Sequence, residues 1–116
     1  MTAPNISSPS NITGKTAVQA VGTSATAIIT NSAGSNTALK VNALYLSNVA
    51  AATVSVTVDI FRSSVAYRIS YTIGVPVGAT LDILSKSVYL EEGDTLRLTA
   101  SAASSIEAVA SYEVIA

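Results

Sequence analysis

Glu91, Glu92 and Asp94 surround Gly93 and form the one acidic cluster in the sequence, and carboxylate oxygens are the donors that Ca²⁺ prefers. A calcium loop of the EF-hand kind spreads its ligands over about twelve residues, a pattern this short run lacks. The run reads instead as a tight turn, with Gly93 expected at a positive φ. Ser and Thr supply about a quarter of the chain, so hydroxyl nucleophiles are plentiful. Nothing of the usual kind could activate one, because the sequence has no His and no Cys. Lys86, between Ser85 and Ser87, could stand in as a base. Adjacent residues on a strand point to opposite faces, however, and a Ser-Lys dyad at that spacing is poor. The expectation is a chain without catalysis, metal or cofactor.

Five tyrosines remain as candidate binding groups: Tyr45, Tyr67, Tyr71, Tyr89 and Tyr112. Flat rings with a polar tip suit either a sugar or a protein interface. Tyr67 and Tyr71 alternate in step with Ile69 and Ile73, which assigns them to a core edge and marks them as a candidate subunit seam.

These residues need a scaffold, and the chain is rich in the residues that build one. It has 116 residues, 49% of them hydrophobic and only 11% charged. One domain of that size buries roughly two thirds of the surface exposed by its unfolded chain. The net charge of -1 supplies no basic face for phosphates, so nucleic acid is not an expected partner. No apolar run approaches the roughly 20 residues of a membrane-spanning helix, and the start lacks the pattern of a signal peptide. Synthesis in a cytoplasm without membrane attachment is therefore expected. Charge is unevenly placed: Lys15 and Lys40 are the only charged side chains before Asp59.

Residues 1–14 read as an extended arm. Its composition cannot offset its own ordering entropy, so the arm is expected to take its order from a partner, with Pro4, Ile6, Pro9 and Ile12 as contact residues. Residues 15–116 read as a sandwich domain. Val54, Val56, Val58 and Ile60 alternate with Thr53, Ser55, Thr57 and Asp59, and Leu96, Leu98 and Ala100 alternate with Arg97 and Thr99, as in strands with one buried face. Tyr67, Ile69, Tyr71 and Ile73 alternate with Arg68, Ser70 and Thr72 in the same manner, and weaker signals of this type lie at 16–20, 25–30, 39–46, 80–84 with 87–90, and 106–115. The run 31–36 supplies a turn, with Gly34 available for a positive φ. About eight strands without crossover helices predict an all-β antiparallel sandwich, and the absence of a Cys pair and a Trp favours a jelly-roll-like arrangement over an immunoglobulin one. Many outward positions carry Ser or Thr where a solitary soluble domain would place charge, which points to an assembled protein.

The segments KVNALYLSNV, VTVDIFRSSVAYRI, SVYLEEGDTLRLTASA and EAVASYEVI resemble small virion structural proteins of tailed phages, those of cyanobacteria among them. The resemblance covers most of residues 15–116. It implies a non-enzymatic β subunit of the virion, of the capsid decoration (cement) kind, that bridges major capsid proteins and forms homo-oligomers, trimers by analogy. The alternatives are a tail, neck or fibre subunit and, from a different class, a glycan-binding module built on the tyrosines.

Overall fold

The computed structural model describes Pro4, Asn5 and residues 7–116. Ile6 of the arm lies outside the described residues. The described residues form nine strands and no helix: β1 (Ile12–Val21), β2 (Thr26–Thr30), β3 (Ala38–Asn48), β4 (Val54–Arg62), β5 (Val65–Val75), β6 (Thr80–Asp82), β7 (Val88–Leu90), β8 (Thr95–Ala100) and β9 (Ile106–Ile115). Two antiparallel sheets pack face to face. The first runs β1-β9-β3-β6, with β7 also paired to β3, and the second runs β2-β8-β4-β5.

The pairing is nested. The first four strands pair with the later ones in reverse order, β1 with β9, β2 with β8, β3 with β7 and β6, and β4 with β5. Wrapping that long ribbon adds the β3·β9 and β4·β8 ladders and yields the strand order of a jelly roll. β6 and β7 are two pieces of one edge strand, parted where β3 carries a register shift between Val41 and Ala43. That break turns the expected eight strands into nine.

The core lies between the sheets. Leu44 and Leu46 from one sheet meet Val56, Val58, Leu96 and Leu98 from the other, all fully buried. In β8, and in β4 as far as Val58, the burial alternates residue by residue as the sequence pattern requires; beyond that point Asp59 is buried and Ile60 half-buried. β5 departs from it. Its register with β4 shifts twice, between the partners of Val56 and Val58 and between those of Val58 and Asp59. These bulges interrupt the alternation: Ile69 and Ile73 pack against the core, Tyr67 stands exposed at the sheet edge opposite the core-side Ile60, and Tyr71 is exposed beside Arg68.

β1 begins at Ile12, so Ile12, Thr13 and Gly14 are part of the sandwich and pair with Ile115, Val114 and Glu113. Two buried asparagines lock the connections. Asn31 donates to the carbonyls of Thr37 and Leu90, at 3.0 and 2.8 Å, and its backbone binds Asp94 and Gly93. Asn48 donates to the carbonyls of Ala52 and Val75, both at 2.8 Å. Each supplies a buried hydrogen bond to the end of a strand distant in the chain, Asn31 to Leu90 and Asn48 to Val75.

Candidate interaction surface

The acidic turn is held by an arginine from a neighbouring strand. Asp94 is fully buried; its carboxylate accepts from Nε of Arg62 at 2.7 Å, from Nη2 of the same guanidinium, and from the backbone N–H of Glu91 at 2.8 Å. Burial pushes the Asp94 carboxyl up, but the hydrogen bonds from Arg62 and Glu91 and the guanidinium charge outweigh it, so its pKa lies below the ordinary carboxylate value. Asp94 in turn, first through hydrogen bonding and then through its charge, raises the pKa of Arg62. Glu91 adds a second contact to Arg62 at 3.0 Å, and Glu92 accepts from the N–H of Asn36 at 3.1 Å. Gly93 sits at φ 90° and Gly34 at φ 82°, the conformations expected of them. The cluster is thus tied to Arg62 and the 31–36 turn, and no group of three or more metal-ligating side chains occurs among the described residues.

The outward faces of the two sheets differ in kind. On the β2-β8-β4-β5 sheet, Asp59 is buried beneath Arg97, which bonds it at 2.8 Å and stacks on Phe61 with its guanidinium 4.0 Å from the ring centre. Arg68, in register with Asp59, lies 5.3 Å from the ring of Tyr71. This face satisfies its own charges.

The other sheet does not close itself in the same way. Its cross-strand register sets Ile12, Ile115 and Ala38 in one outward row, and Val18, Val109 and Tyr45 in another. Ile115 and Ala38 are buried although neither belongs to the core cluster, so chain outside the sheets covers that end of the face. The arm is fixed there: the N–H groups of Ser10 and Asn11 both donate to the carbonyl of Ala116, at 2.7 and 3.0 Å, and Pro4 and Pro9 are half-buried. The second row lies open, with Val18 74%, Tyr45 42% and Val109 38% exposed. Around it stand Thr16, Ser111 and Ala43 on one side and Ala20, Glu107 and Ser47 on the other. An exposed apolar row, continued by Asp82 opposite Tyr45 and flanked by Glu107, is suited to packing against another protein.

The chain matches no protein-family model and no curated protein. Of the arm residues singled out in the sequence, Ile12 opens β1 and is 57% exposed, beside the half-buried Pro4 and Pro9. Tyr67 and Tyr71 stand exposed on β5, Tyr67 next to Ile60 and Arg62 in a shallow depression. The row of Val18, Val109 and Tyr45 escapes a sequence reading, since its members lie far apart in the chain and only the β1·β9·β3 register joins them.

Proposed function

We propose that the protein is a non-enzymatic structural subunit of a tailed-phage virion and decorates the capsid, bridging major capsid proteins. The open row of Val18, Val109 and Tyr45 on the outward face of the β1-β9-β3-β6 sheet carries this reading. It offers a surface that gains by burial. A cement subunit acts by burying area across boundaries between shell proteins, so that outward pressure must break additional contacts. Many weakly bound copies held by symmetry add up to a large effect. The jelly-roll order supports the reading because capsid proteins use it, as do lectin domains. The test is incorporation: particles assembled with Val109→Asp should lose the subunit while the isolated variant stays folded, because an aspartate outside the core costs the fold little and the interface a great deal. Normal incorporation of Val109→Asp, or a position confined to the tail, neck or fibre, overturns the assignment. Glycan binding by the isolated domain through Tyr67 or Tyr71 would favour a lectin-like role.

A further inference from the structure

The four sheet edges are not equally protected. β6 and β7 form a broken edge of two three-residue pieces, β2 has five residues and a register shift between Ala27 and Ile29, and β5 carries two register shifts and a positive φ at Thr72. Short strands and bulges are the devices that stop an edge from recruiting another strand. β1 has neither. It runs ten residues in unbroken register with β9, contains no proline, and carries Lys15 as its only charge. Its second edge bears no partner strand among the described residues.

A second irregularity lies on the same strand. Gln19 faces the gap between the sheets, where its Nε2 donates to the carbonyl of Ala27 at 2.8 Å, which fixes the amide orientation because a carbonyl needs a donor. Its Oε1 is buried without a hydrogen-bond partner. An orphaned buried acceptor calls for a donor from elsewhere.

We propose that β1 pairs antiparallel with β1 of a second copy, about a two-fold axis at Ala17, joining the two larger sheets into one. In an antiparallel pair directly opposed residues share a face, so the axis position fixes every partner. With the axis at Ala17, Lys15 of each copy stands opposite Gln19 of the other and brings an ammonium donor toward the orphaned Oε1. Val18 meets Thr16, and Ala20 meets Gly14. An axis at Lys15 would oppose two ammonium groups, one at Thr16 would leave Lys15 facing Ala17, and one at Val18 would set Lys15 against the buried Val21. Lys15 makes no ion pair among the described residues and is free for this role. The pairing is isologous and closes as a dimer. It is a property of the chain in solution and does not rest on the virion reading.

Because the sequence contains no cysteine, single cysteines report the register directly. Directly opposed Cα atoms lie about 4.5–5.5 Å apart, within disulfide range, so Ala17→Cys should cross-link to itself on oxidation. Ala20→Cys should not, since its symmetry mate would lie about 20 Å away at roughly 3.3 Å per residue. Should Ala17→Cys fail to fold when reduced, an equimolar mixture of Thr16→Cys and Val18→Cys chains tests the same register through the outward face. Sedimentation equilibrium of the wild-type chain should show a dimer, and Lys15→Ala, which removes both symmetry-related charged hydrogen bonds, should weaken it about a hundredfold. A monomer, a trimer, or a dimer that cross-links at Ala20→Cys as readily as at Ala17→Cys overturns the proposal.

Discussion

The Arg62–Asp94 pair should respond asymmetrically to removal of its two halves. The Asp94 side chain is 1% exposed and that of Arg62 is 46% exposed, so the partners lose unequal hydration when paired. Arg62→Ala strands a buried carboxylate whose one remaining contact is the N–H of Glu91. Breaking a fully buried pair in that way costs about 3–5 kcal/mol, and the partial exposure of this site brings the expectation to about 2–4 kcal/mol. Asp94→Asn keeps an acceptor for Glu91 and lets the guanidinium turn to water, so about 1–2 kcal/mol is expected. Urea unfolding at neutral pH measures both. Acid supplies an internal control. The pKa of Asp94 is depressed in the folded protein, so its contribution is complete above the unfolded value of about 3.9 and is lost as pH falls through the lower folded value. In Arg62→Ala the buried carboxyl is left with a raised pKa, and acid relieves its penalty. The gap between wild type and Arg62→Ala should therefore shrink below about pH 4. Equal losses for the two variants at neutral pH, or a gap that persists in acid, would refute the assignment of the cost to a buried charge.

Asn31→Ala should lower stability by about 2–4 kcal/mol, because the carbonyls of Thr37 and Leu90 lose their donor inside the protein; denaturant unfolding reads the loss. Gly93→Val should cost about 1–3 kcal/mol from its φ of 90° alone, since no atom lies within 4 Å of an added Cβ, whereas the exposed Glu91→Ala should cost under about 1 kcal/mol. Added calcium should leave the melting temperature of the wild type unmoved, and a rise abolished by Asp94→Ala would establish a metal site. Removing residues 1–9 should destabilise the domain by about 1–2 kcal/mol as Ile115 and Ala38 become exposed, and an unchanged melting curve would mean that other chain covers them.

The strands that a sequence reveals best are those whose ladders keep strict register. Val54 to Val58 and Leu96 to Ala100 occupy the central strands β4 and β8, joined by an unshifted ladder, and their alternation survives; it gives way at Asp59, whose carboxylate is buried under Arg97. Tyr67 to Ile73 looks equally regular in sequence, yet its two bulges arise from pairing with β4, which no local pattern encodes. The start of β1 was hidden for a different reason: Ile12, Thr13 and Gly14 resemble the polar arm in composition and become strand because β9 offers them partners out to Ile115. The turn glycines were legible, since the chain reversal there needs a positive φ. The roles of Asn31 and Asn48 were not, as their acceptors lie up to 59 and 27 residues away. The same holds for the outward row of Val18, Val109 and Tyr45, three apolar residues that are unremarkable singly and form a surface only through cross-strand register.

The virion role can be tested most directly by locating the protein in purified particles, with quantitative mass spectrometry for its copy number and electron cryomicroscopy for its place. The expected result is a stoichiometry that scales with the major capsid protein, with the face bearing Val18, Val109 and Tyr45 turned toward the shell. Absence from the particle, a copy number of the tail or neck, or a shell-bound subunit that leaves that face open to solvent would contradict it.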